Sequence, residues 1–205
     1  MVPRPFITRF FFSLWIGAFF PLPTATLAET KKTAKPLSVQ AVQINVPFVK
    51  QEEPRDCGMA VLKMTMGFYG KKLSQAQIDW VKENSKAGQG TMAAELVTVL
   101  NQTDFETALF QGTLDQESTG LYHHLDKHRP LIVMITSKDG KDSHYDVVTG
   151  YDPVRYYILL VDPALGPLTV ARNDFEAAWK RANNFTLLAV PKKLLAQTPT
   201  PTPIY

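Results

Sequence analysis

The 205-residue chain is long enough for one domain with a real core, and 45% hydrophobic with 20% charged residues is ordinary globular composition. The formal charge of +3 includes Arg4 and Arg9, the only charged residues of the first 28, and without them it is +1. Nucleic-acid binding therefore gains no support.

Arg4 and Arg9 form a positive n-region, Phe10 to Phe20 an apolar stretch, and Leu22 to Ala28 a run ending in small residues. This pattern predicts a secretory signal peptide over 1–28, with an uncleaved anchor as the alternative. The apolar run falls short of the roughly 20 residues that span a bilayer, so no stable span is expected after cleavage. Residues 29–43 read as a flexible lead-in, and Ile44 to Val49 as an extended entry into the domain. Gln51 to Asp56 is a charged loop holding Pro54. Gly58 to Tyr69 is apolar nearly all round, which predicts a central helix ended by Gly70. Ser74 with Gln77 is a capping box opening a helix to about Asn84. Gly88-Gln89-Gly90 lacks the Gly-Lys-Ser/Thr of a phosphate loop and reads as a plain loop.

A helix is expected from Thr91 to Leu100, a short strand over Phe105 to Phe110, and a helix from Ser118 to Lys127. From Pro130 the period changes to that of strands: Leu131 to Thr136, Tyr145 to Tyr151, Tyr156 to Val161 and Leu168 to Ala171. Asn173 with Glu176 predicts a capped helix through Arg181, followed by a strand over Phe185 to Val190. Residues 192–205, with their Thr-Pro repeat, read as a disordered tail. Helices first and then a mostly antiparallel sheet is an α+β order, with the folded domain over 44–191.

Cys57 is the only cysteine. Exported chains usually pair their cysteines or have none, so a lone thiol there calls for a use. It sits where a loop becomes a helix, and the unpaired N–H groups and dipole of a helix start favour a nucleophilic thiolate. A base is needed within reach. His123, His124 and His128 lie in one surface helix with Asp126 and Lys127, and read as solvated. His144 opens the strand His144-Tyr145-Asp146-Val147-Val148. If the hairpin loop is Asp152-Pro153-Val154, Tyr151 pairs with Arg155 and His144 faces Asp162, about 5 Å away. A carboxylate there fixes the imidazole tautomer and stabilises the imidazolium. The Cys57 N–H, and the side-chain amide of Gln51 on the same loop, are candidate oxyanion donors.

Gln51, Asp56-Cys57-Gly58, Ala60, Leu62, Met64 and Tyr69-Gly70 together resemble the cysteine motif of the bacteriocin-processing, double-glycine leader cysteine peptidases, peptidase family 39. The resemblance continues through Pro130-Leu131-Ile132-Val133, through the His144 motif and through Asp162-Pro163-Ala164, and ends at Phe175 and Trp179. It covers about Val46 to Pro191. It implies a papain-like cysteine peptidase fold, with Cys57 as nucleophile, His144 as base, Asp162 as its orienter and Gln51 as oxyanion donor. It implies no cofactor or metal, and a peptide or protein substrate.

In the best-known members of that family this domain is fused to an ABC exporter and cleaves after Gly-Gly. Here the expectation is a stand-alone, exported member acting in the periplasm or outside the cell, with any export-system partner unknown. The function expected is cysteine-type endopeptidase through a Cys57 thioester. The alternatives are acyl transfer or transpeptidation on the same residues, or a peptide-binding module that does not cut.

Overall fold

The computed structural model describes residues 36–85 and 90–195; the expected signal peptide, the Gly88-Gln89 pair and the end of the tail lie outside them. In chain order the elements are β1 (Val42–Gln43), α1 (Cys57–Phe68), α2 (Gln75–Asn84), α3 (Ala93–Gln102), β2 (Phe105–Gln111) and α4 (Leu121–Asp126). Then come β3 (Leu131–Thr136), β4 (Ser143–Asp152), β5 (Tyr157–Asp162), β6 (Gly166–Ala171), α5 (Arg172–Arg181), β7 (Phe185–Pro191) and α6 (Lys192–Leu195). One antiparallel sheet runs β2-β7-β3-β4-β5-β6, and β1 extends it by pairing with β4. The α+β expectation is met.

The central strands read as continuous apolar runs because both faces of the sheet are covered. On one face α1 and α3 bury Met59, Leu62, Leu96 and Leu100 against Tyr145, Val147 and Leu187. On the other, α4 and α5 bury Leu121, Leu125, Phe175 and Trp179 against Leu131, Val133 and Leu160. Trp179 Nε1 donates to the Phe185 carbonyl at 2.9 Å, so its one polar atom is satisfied inside the core.

Local chemistry sets the ends of the elements. Gly70, at φ +68°, ends α1, and the Lys71 N–H reaches back to the Met66 carbonyl at 2.9 Å, closing the helix as a glycine cap does. The Ser74–Gln77 capping box forms on both sides. The Asn173 cap does not form. Instead α5 begins after Ala171, and the Arg172 N–H is held by the Tyr156 carbonyl at 2.8 Å, so a tertiary contact sets the helix start. Sheet pairing begins at Val42, two residues before the expected entry, because Ser38 and β1 dock on the far end of β4. Residues 192–195 of the expected tail form α6.

The β4–β5 hairpin differs from its predicted register, and the difference bears on the site. Its loop is Pro153–Tyr156, so Tyr151 pairs with Ile158 rather than with Arg155. Asp152 builds this longer turn by accepting the Val154 and Arg155 N–H groups at 3.0 Å each. An irregularity between Val148 and Gly150 then takes up one residue, so Val147 pairs with Val161. The net slip at the site end is two residues. An even slip keeps every side chain on its face, so His144 lies diagonal to Asp162 on one face instead of directly opposite it.

Candidate active site

α1 begins at Cys57 itself. The preceding residue, Asp56, gives no side-chain cap, so the first N–H groups of the helix stay free to bind an anion. The Asp56 carboxylate turns back to the Glu53 N–H at 3.2 Å, and the Asp56 N–H donates to the Glu53 carbonyl at 3.0 Å, which makes 53–56 a closed turn. Cys57 is free and half-buried. Gly58 is required by packing: a Cβ there would lie 2.5 Å from Thr91 Cβ.

His144 stands at the start of β4, with Nε2 3.3 Å from Asp162 Oδ1. Asp162 Oδ1 also accepts the Ala164 N–H at 2.6 Å and the Leu165 N–H at 3.0 Å, so the turn after β5 fixes the carboxylate. Burial opposes ionisation of Asp162, but the His144 contact and the two N–H groups outweigh it and hold its pKa below the ordinary value. Burial also opposes charge on His144. The Asp162 hydrogen bond, the neighbouring Cys57 and the charge of Asp146 overcome it and raise His144 to about 10. Cys57, His144 and Asp162 are therefore brought together.

Gln51 is placed less directly. Its backbone N–H donates to the Pro163 carbonyl at 3.0 Å, strapping the loop before Cys57 to the turn after Asp162. Its side chain is folded into its own loop, Nε2 donating to the Glu53 carbonyl at 2.9 Å, and its buried Oε1 has no hydrogen-bond partner. One amide N–H remains for an oxyanion.

The surface-histidine expectation needs one correction. His124 is 6% exposed, and its Nε2 meets the Ser118 carbonyl at 3.0 Å. Burial, chiefly, lowers its pKa, because α4 turns it under Phe110 instead of toward solvent. His123 does sit at the surface, 2.8 Å from Lys127 Nζ.

The residue that sequence reasoning passed over is Asp146. It is fully buried, with Oδ1 3.7 Å from His144 Nε2. The signal was the alternation itself: residues 144 and 146 share a face of a strand. His144, Asp146 and Asp162 place ligand-type atoms within 4.8 Å of one another. Asp162 Oδ1, however, is committed to two N–H groups and the imidazole, which suits an internal charge cluster better than a bound ion. A cleft of about 450 Å³ opens beside the cluster, lined by Ile135, Thr136, His144, Asp162, Leu165 and Arg181.

A model of the Peptidase C39 family matches residues 45–193. The chain belongs to the Peptidase C39 family. Over 141 residues it is 30% identical to the transport/processing ATP-binding protein MesD of Leuconostoc mesenteroides, an alignment covering 68% of this chain and 18% of that protein. It is 31% identical over 129 residues to the transport/processing ATP-binding protein ComA of Streptococcus pneumoniae, covering 63% of this chain and 17% of that one. The chain thus spans under a fifth of the length of the curated relatives it matches.

Among solved structures, the peptidase domain of Streptococcus ComA, a bi-functional ABC transporter, superposes with a TM-score of 0.57 at 24% identity, over 72% of this chain and 99% of that one. A double glycine motif protease from an AMS/PCAT transporter, solved with its leader peptide, gives 0.54 at 21% identity, over 73% and 94%. The fold of this C39 member is papain-like, as expected. Among the described residues, no helix is long and apolar enough to cross a membrane.

Proposed function

We propose that this C39 domain is a cysteine endopeptidase in which Cys57 attacks a peptide carbonyl. The observation that carries the reading is the His144 imidazole, engaged at Nε2 by Asp162 at 3.3 Å and close enough to Cys57 for it to help raise the ring's pKa. With Nε2 turned to Asp162, Nδ1 is left to carry the proton drawn from the thiol, so attack starts with the ring as imidazolium. The sulfur adds to the carbonyl carbon, and the oxyanion is met by the Cys57 N–H at the helix start and the spare amide N–H of Gln51. The C–N bond breaks, His144 gives its proton to the leaving amine, and a thioester remains on Cys57. Water, deprotonated by His144, then releases the acid and restores the thiol.

Membership of the C39 family, and the double glycine motif protease among its structural neighbours, make a peptide carrying a Gly-Gly leader the substrate proposed here. Export is part of the same proposal, supported by Arg4, Arg9 and the apolar run Phe10 to Phe20. Labelling with iodoacetamide tests the pairing of thiol and base, since Cys57 is the only thiol. Cys57 is expected to react faster at neutral pH in the parent than in His144→Ala. Equal rates would remove His144 as the activating group.

A further inference from the structure

Asp146 is the one part of the charge cluster that the proposed mechanism leaves unused. It is 0% exposed, and neither carboxylate oxygen has a hydrogen-bond partner among the described residues. Burying a carboxylate with no donor is unfavourable unless a cation faces it. The cation it meets is the His144 ring, 3.7 Å from its Oδ1.

We propose that Asp146 is a positioning residue for the peptidase reaction, a second buried carboxylate that joins Asp162 in holding the His144 ring as an imidazolium aimed at Cys57. The proposal rests on the reading of Cys57 and His144 as nucleophile and base.

The two carboxylates are built for different tasks. Asp162 shares its charge with two backbone N–H groups and is fixed by its turn. Asp146 shares its charge with no donor, so the ring is the cation that charge meets, in a poorly screening environment. The groups around it are few. His144 lies on its own strand and Asp162 on β5; α1 brings Cys57 to the ring beyond. β3 faces it with apolar Val133. Arg181 from α5 and Asp142 from the loop before β4 line the cleft mouth near His144.

Burial, above all, raises Asp146 to about 7, with His144 pulling it down and Asp162 pushing it up. Asp146 therefore gains its charge as pH rises past neutrality, and from there it opposes loss of the His144 proton. The three groups titrate as a unit.

The test is the imidazole NMR titration of His144, assigned by its disappearance in His144→Ala. In the parent the ring is expected to lose its proton near pH 10. In Asp146→Asn the midpoint should fall by about one unit, the size of effect that a nearby buried charge exerts. A midpoint that does not move, even with a lowered Tm, would make Asp146 a structural residue only and overturn the proposal. If Asp146→Asn does not fold, the parent alone decides. Its His144 resonances should show a second inflection near pH 7 as Asp146 ionises, and their absence there overturns the proposal. The underlying reading fails separately, if His144→Ala leaves the rate of Cys57 alkylation unchanged.

Discussion

One oxygen of Asp162 both closes its own turn and holds the His144 ring: Oδ1 accepts the Ala164 and Leu165 N–H groups while lying 3.3 Å from His144 Nε2. The two roles separate by substitution. Asp162→Ala removes both, and kcat/KM is expected to fall by about 10²-fold or more, the scale of a general base that has lost its placement. Asp162→Asn keeps an acceptor for the turn and removes only the charge, so it should retain more activity than Asp162→Ala. Steady-state kinetics of the pair decide this, and equal losses would contradict the separation.

The pH dependence follows from His144, whose pKa is raised to about 10. A raised group keeps its proton well above its ordinary value near 6.5. The acid that protonates the leaving amine is thus expected to persist through neutral pH. Activity should decline as pH rises through about 10. A loss of activity as pH rises through about 6.5 to 7 would show that the ring is not held by its carboxylates.

Gln51 is expected to act on the transition state. Gln51→Ala should lower kcat by about 10²–10³-fold, with KM little changed, as for loss of one oxyanion donor. If the amide serves only its bond to the Glu53 carbonyl, the variant will lose stability and keep its kcat.

Gly58 has no room for a side chain, since a Cβ would meet Thr91 Cβ at 2.5 Å. Gly58→Ala should destabilise the domain by about 1–3 kcal/mol, the usual effect of overpacking. It should also slow the reaction, because it shifts the turn that carries Cys57. Adding Thr91→Gly should restore part of both losses, and strictly additive effects in the double variant would contradict the contact.

Asp152 ties the entry of the domain to the β4–β5 turn. Burial opposes its ionisation, but the Ser38 N–H and hydroxyl with the Arg155 and Val154 N–H groups lower its pKa to about 2. A depressed carboxylate stabilises the fold above its unfolded value of about 3.9, and the contribution is lost as pH falls through about 2. Asp152→Asn should therefore lower Tm at neutral pH, and the gap to the parent should close on acidification toward pH 2. A gap of constant size would assign the effect to shape instead of charge.

Much of this was legible because the signals were local. The apolar run after Cys57, the Ser74–Gln77 box and the strand Leu131–Thr136 each carry their structure in their own residues. The misses were tertiary. The hairpin loop gained length because Asp152 collects the Val154 and Arg155 N–H groups of the turn, and α5 starts where Tyr156 holds it rather than at Asn173. His144 and Asp162 still met, because an even slip preserves the face. Asp146 was written in the His144 motif, but its burial depends on β3, β5 and the helices over them, none of which a strand pattern reveals.

The central claim is that peptide-bond cleavage depends on Cys57 activated by His144. Digestion of a proteome-derived peptide library, read by mass spectrometry, tests it with the parent, Cys57→Ala and His144→Ala side by side. New peptide termini are expected with the parent and absent with both variants. The same termini produced by Cys57→Ala would contradict the account.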